Sequence, residues 1–252
     1  MDLEQKLYFR DQLRTARAKA LEDAEGFQDV LFCLEGIGVH LLGKVESLFE
    51  YKGKLAHIAA NSPLATDVPA IASTWHSSFD TLYDDLRHAR NDAAHQGAYA
   101  RTLTSHAVAL ALILEDALMS EARKVSHFMV RDPVCAKRWQ PVSFIRQQML
   151  IHSFSYLPLF DESETLWMLV PEHSVARYLR SAKGSTDRNR RLATPLGKAI
   201  CSREIPLLKA STVSPDTELD VAIRSLDEHP ILIVNGEGPD SLVGILAASD
   251  VL

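Results

Sequence analysis

The sequence predicts a two-part protein: an all-α helical bundle, then an α/β module written twice. Three observations predict it. Apolar residues recur at helical spacing through the first half, with no alternating strand pattern before about Ser126. After Val130 short β-type runs alternate with amphipathic stretches. Those runs also align with one another at an offset of about 75 residues, an internal repeat that sets the architecture.

Of the 252 residues, 46% are apolar and 24% charged, the balance of a chain that buries a core. The bundle is predicted over residues 1–125. Leu31, Leu34, Val39 and Leu42 share one helical stripe, and Leu110, Leu114 and Leu118 another. Two long helices are expected before Asn61, broken near Gly26. A third opens near Ala70, after the punctuating loop SPLATDVP, and a fourth runs from about Thr102 to Ser126. In the module, residues 126–252, the strands are YLPLF, LWMLV, ILIVN and LVGIL, with a helix from Val142 to Leu150. Pro141–Ile145 aligns with Pro215–Leu219, Leu157–Asp161 with Ile231–Asn235, and Leu166–Val175 with Leu242–Val251. One β-α-β-β-α unit therefore occurs as a first repeat, 126–182, and a second, 196–252. The basic linker 183–195, within RSAKGSTDRNRRLATP, is expected to be a mobile connection, with a phosphate-contacting loop as the alternative.

A net charge of −6 argues against coating nucleic acid by charge alone, so RNA contact needs a local basic patch. Candidates surround Arg87, Arg90 and Arg101, and fill the stretch Arg180–Arg191. The N-terminus MDLEQKLYFRDQ lacks the apolar stretch of a secretory signal, and the longest apolar run, Ala107–Leu114, is far below the roughly 20 residues that span a bilayer. A cytoplasmic location and no membrane partner are expected. Cys33, Cys135 and Cys201 are widely separated and form no CxxC pair, so buried free thiols are expected.

The segment RHARNDAAHQGAY, residues 87–99, concentrates cation, amide and imidazole groups. Metal-free RNA cleavage needs a group to take the 2′-hydroxyl proton, a cation for the phosphorane and a proton for the leaving oxygen. His95 and Arg90 are suitable types, and Asn91 can orient either His95 or the ribose. On an ideal helix Asn91 and His95 share a face, while Arg90 and His95 lie about 140° apart. A break after Asn91, or a second chain, relieves that geometry. Arg90, Asn91 and His95 resemble the RNxxxH signature of the HEPN superfamily, helical domains many of which are metal-independent endoribonucleases. The resemblance implies a homodimer through the helical domain, two motif copies lining one cleft, an RNA substrate and no cofactor for catalysis. It suits a toxin or antiphage effector, with an antitoxin protein as partner. Two alternatives stand beside it: Arg90 pairs with Asp84 or Asp92 while His95 caps a helix, or the domain binds and dimerises without cutting. His88, His95 and His106 lack the spacing of a helical metal site, so no metal is expected. Trp75, Phe79 and Tyr83, four apart, are expected in the core.

MVRDPV from Met129 and LPLFD from Leu157, with VSPDTELDVAI from Val213 and LVGILAASDVL from Leu242, resemble the cystathionine β-synthase (CBS) motif. Such motifs pair in tandem and hold nucleotides between the copies. The resemblance implies an adenine nucleotide (AMP, ATP or related) as regulatory ligand, its ribose hydroxyls on Asp250 and its base near Ala210, Thr212 and Ile231. Ala247 stands where the family has Thr or Ser near the phosphate. In the first copy Met168, Pro171 and Ser174 replace the family's Gly, Thr and Asp, so that cleft is expected to be degenerate. The chain stops two residues after Asp250, inside the stretch where the resemblance places the last helix. Taken together, an endoribonuclease gated by nucleotide is expected, the change passing through a helix from about Leu118 to Phe128. A non-enzymatic nucleotide-sensing adaptor, a ligand-free scaffold with Asp250 as a helix cap, and repeats that regulate a separate enzyme are the alternatives.

Overall fold

A computed structural model describes the chain except residues 24–25, 93–99 and 227–228, and of 89–92, 100 and 101 it describes the backbone alone. The chain divides into two units, Met1–Ala122 and Arg123–Leu252.

The first unit holds, among the described residues, α1 (Leu3–Glu22), α2 (Phe27–Leu42), α3 (Leu48–Ala59), α4 (Asp67–Ile71), α5 (Phe79–Asp92) and α6 (Ala100–Met119). Asp2 opens α1 with a reciprocal cap, its carboxylate accepting from Gln5 N–H and its own N–H donating to the Gln5 side chain. Three helices, rather than two, precede Asn61. Gly43 takes the left-handed conformation at the end of α2 and donates to Val39, which stops the helix and frees the chain to start α3. A Cβ on Gly38 would fall inside the ring of Tyr51, so a glycine there lets α2 and α3 close up over a buried tyrosine.

The central helix is α6, which buries Leu103, Ala107, Leu110, Leu114 and Leu118. Residues 102–119 are long and apolar enough to cross a membrane by composition, yet over half of them are buried inside the unit, as in the core helix of a bundle. Glu115 is also buried, and Arg17 of α1 clasps its two oxygens at 2.8 and 3.1 Å, with Arg14 at 3.5 Å. Such pairing is what makes a buried carboxylate tolerable. Phe79 and Tyr83 stack at 5.6 Å in the core, and Tyr83 donates to the Leu48 carbonyl. Trp75, expected beside them, is 85% exposed because it precedes α5 and lies off its buried stripe.

Expected to run to about Ser126 and to lead on to Phe128, α6 instead ends at Met119. The chain beyond it is held elsewhere: Val125 and Ser126 donate to the carbonyls of Thr217 and Pro215, and Leu219 donates to that of Arg123.

The second unit contains β1 (Val130–Arg131), α7 (Val142–His152), β2 (Tyr156–Asp161), β3 (Leu166–Pro171), α8 (Glu172–Arg180), α9 (Ser185–Ala193), α10 (Leu196–Cys201), β4 (Leu208–Lys209), β5 (Ser211–Val213), α11 (Leu219–Ile223), β6 (Ile231–Val234), β7 (Leu242–Leu246) and α12 (Ala248–Val251). Its sheets run β1-β7-β6-β5 and β2-β3-β4. The β-rich runs LWMLV and LVGIL become β3 and β7, the second strand of each copy's antiparallel hairpin.

The two copies exchange their leading segments. Val130 and Arg131, at the start of the first copy, pair with Ile245 and Gly244 at the end of the second. Leu208 and Lys209, at the start of the second, pair with Leu169 and Met168 of the first. Burial follows the same rule. The first copy's core takes in Leu196, Ala199 and Ile205, and the second's takes in Val125 and Met129. Trp167 and Ser241 join the copies through a 3.1 Å hydrogen bond inside a shared layer with Leu169, Ala210 and Leu232.

The expected mobile connection contains a helix, α9. Asp187 accepts from the Lys183 N–H at 2.9 Å and pairs with Arg190 and Arg191, while Arg191 donates to the Tyr178 carbonyl and lies 4.7 Å over its ring. Composition alone hides such a helix, since none of its residues is fully buried and contacts to α7 and α8, with Leu192 against the core, hold it.

Candidate functional site: a cleft between the repeats

A cleft of about 480 Å3 opens in the second unit where the end of β7 and α12 meet the start of β2 and the leading segment of the first copy. That volume suits a small-molecule ligand. Its walls come from both copies: Val130, Pro133, Val134, Phe154 and Tyr156 from the first, His229, Pro230, Ile245, Ala247 and Asp250 from the second.

Most of this lining is apolar. Besides Ser153, Ser155 and Ser249, polar side chains sit at two places. At one, Tyr156 and His229 share a hydrogen bond of 3.0 Å between Oη and Nδ1, their rings edge to face at 5.3 Å. At the other, Asp250 accepts from the Ala247 N–H at 2.8 Å, which fixes its carboxylate at the cleft wall. A carboxylate so held accepts neutral donors well, above all the paired hydroxyls of a sugar.

Of the nucleotide contacts the sequence suggests, Asp250 and Ala247 line this cleft, and Ala210, Thr212 and Ile231 do not. Ile231 is fully buried in the second copy's core, Ala210 packs against Trp167 and Leu232, and Thr212 is exposed on β5, opposite Leu232. The cause is the exchange of leading segments. A linear alignment sets Asp250 beside its own copy's 210–212, but the first copy's 130–134 takes that place through the β1–β7 pairing. Tyr156, His229 and Phe154 were not singled out from the sequence. The signal available was their position: Tyr156 opens β2 and His229 stands two residues before β6, within one residue of matching points of the repeat.

At the matching place in the first copy, Ser174 is 1% exposed, and its hydroxyl has no hydrogen-bond partner among the described residues. Pro171, at the place of Ala247, is also buried. Asp250 thus faces a cleft and Ser174 faces packed side chains.

In the first unit, Arg90 and Asn91 fall in the last turn of α5, and their side chains lie outside the described residues, as does the whole of His95. Asp84, one candidate partner for Arg90, is held by Lys52 at 2.8 Å with Arg87 at 3.6 Å, and the Lys52 hydrogen bond keeps its carboxyl below the ordinary range. Asp85 lies 3.1 Å from His106. Among the described residues no group of His, Cys, Asp and Glu is arranged to hold a metal ion. The cysteines are free, but only partly buried at Cys33 and Cys135 and exposed at Cys201; burial pushes the Cys33 thiol up to about 11.

No family model matches this chain, and no curated protein sequence matches it. Among solved structures it is similar to the CBS-pair protein CBSX2 from Arabidopsis thaliana, at 19% identity over 51% of this chain and 90% of that one, with a TM-score of 0.37. It is likewise similar to CBSX2 in complex with AMP, at 20% identity over 51% and 92%, TM-score 0.38. CbpB in complex with c-di-AMP is a third, at 9% identity over 51% and 81%, TM-score 0.39.

Proposed function

We propose that the second unit is a CBS-type nucleotide sensor with one adenine-nucleotide site per chain, and that the helical unit is the part it regulates. One observation carries this: Asp250, the residue the CBS motif assigns to the ribose, lies on the wall of a 480 Å3 cleft whose apolar and aromatic lining comes from both copies. The base is taken by the apolar lining around Phe154, Tyr156 and Pro230, and the ribose by Asp250. Isothermal titration of the full chain with AMP, ATP, c-di-AMP and GMP tests it. One adenine nucleotide per chain is expected, with affinity falling about tenfold or more in Asp250→Ala. Saturation at two per chain, or a variant that binds as well as the natural chain, overturns it.

For the helical unit the reading favoured by RNDAAH is metal-independent RNA cleavage by Arg90, Asn91 and His95, across a homodimer. The motif itself is the feature that supports it, since it sets a cation, an amide and an imidazole within six residues of sequence. Cleavage of a tRNA and mRNA pool in EDTA, with and without nucleotide, should be abolished by His95→Ala or Arg90→Ala in chains that remain folded. If the natural chain is inert in every condition, the unit is a non-enzymatic adaptor.

A further inference from the structure

Between Arg177 and Arg203 the sequence places eight arginines and lysines against a single acid, Asp187, in a chain whose net charge is −6. The structure gathers them around one end of the first copy. On α8 the buried face is Ser174, Val175, Tyr178 and Leu179, which leaves Arg177 and Arg180 outward. The polar helix α9 adds Arg188 and Arg190, and α10 with its following turn adds Lys198 and Arg203, all exposed.

Acidic partners are few. Asp187 is shared by Arg190 and Arg191, and Glu204 is taken by Arg191 at 3.1 Å, whereas Arg177, Arg180, Lys198 and Arg203 have no acidic partner among the described residues. At the centre lies a pocket of about 220 Å3 bounded by Tyr178, Arg190, Arg191, Thr194, Lys198 and Ser202, with Glu204 also at its wall. Cations and hydroxyls at such a pocket fit a phosphate group.

We propose that this α8–α9–α10 surface binds RNA along its phosphate backbone, one phosphate seating between Arg190 and Lys198. Charge complementarity supplies the affinity, since each cation that neutralises a phosphate releases a counterion. Six of the eight cations are arginines, whose planar forks grip phosphate oxygens in pairs. A lipid surface fits less well. Helices that lie on membranes carry large apolar side chains outward, and no large hydrophobic between residues 171 and 210 is exposed. The choice of RNA over DNA rests on reading RNDAAH as an RNA-cleaving motif; the surface itself does not.

The test is fluorescence anisotropy of the full chain with a labelled single-stranded RNA of about 20 nucleotides in EDTA, beside DNA of the same sequence and vesicles of phosphatidylserine and phosphatidylcholine. His95→Ala, which removes cleavage if RNDAAH cuts, is measured in parallel so that binding is also read on intact RNA. The triple variant Arg180→Ala, Lys198→Ala, Arg203→Ala should weaken RNA binding about tenfold or more and flatten the plot of log Kd against log salt by about one unit per cation. Its AMP binding and melting temperature should not change. Retained RNA binding in the triple variant, no RNA binding by the natural chain, equal binding to DNA, or binding to the vesicles in place of RNA each overturns the proposal. RNA binding without cleavage breaks the RNDAAH reading and leaves this surface standing.

Discussion

Asp250 and Ser174 occupy one position of a duplicated unit and meet opposite surroundings. Asp250 stands at a cleft wall with its carboxylate held by a backbone N–H, while Ser174 is sealed among side chains with an unpartnered hydroxyl. The strands around them are alike: Leu157 and Ile231 are both fully or almost fully buried at the hairpins' first strands, and Leu169 and Ile245 take equivalent partners from the exchanged leaders. Divergence has therefore fallen on the cleft end and spared the hairpin core. A duplicated fold needs both cores to stand, but it does not need both cleft ends open.

The strongest way to break this comparison is through the two cores. Leu157→Ala and Ile231→Ala should each cost about 2–5 kcal/mol in urea unfolding, and a marked inequality would show that the copies are not equal supports. Next comes Gly244, whose counterpart in the first copy is Met168. A Cβ at Gly244 would lie 2.5 Å from the Met129 sulfur, so Gly244→Ala forces that side chain aside and should cost about 1–3 kcal/mol by the same measurement. Met129 belongs to the exchanged leader, so a negligible cost would mean that the leader is loosely held.

Acid should separate the copies too. Asp161 in the first corresponds to Asn235 in the second, and hydrogen bonds from the Ser163 hydroxyl and N–H, with Arg138 at 2.8 Å, hold its carboxyl below the ordinary range. A depressed folded value means stability that is present above the unfolded value, about 3.9, and lost as pH falls through it towards the folded one. Asp161→Asn should remove about 1–2 kcal/mol at neutral pH and flatten the loss of stability below about pH 4. The smallest effect expected is at Ser174→Ala, which removes a buried hydroxyl that has no partner and should raise stability by up to about 1 kcal/mol in thermal unfolding.

Legibility followed the range of the interactions. The runs YLPLF, LWMLV, ILIVN and LVGIL announced their strands because burial and β-branching act locally. Asp250, which a motif marks, lines the cleft. The exchange of leaders was invisible, since nothing in Val130 or Leu208 says which copy's hairpin it will join, and it moved the cleft from Ala210, Thr212 and Ile231 to Val130, Pro133 and Val134. Helix α9 was missed for a related reason, being held by Tyr178 and Asp187 rather than by an apolar stripe. Trp75 looked like core from its spacing, yet it precedes the helix that would have carried it inward.

The exchange of leaders also sets a timetable. During synthesis, β2 and β3 are complete long before Leu196, Ala199 and Ile205 exist to close the core above them, and β1 waits until residue 246 for β7. A ribosome that has passed Arg180 has made, of the second unit, a hairpin with two helices and neither core complete. Both halves lock only when the last strand arrives, so a chain interrupted anywhere between them is left with two open cores, and the cleft beside Asp250 exists only in molecules translated past the end of β7.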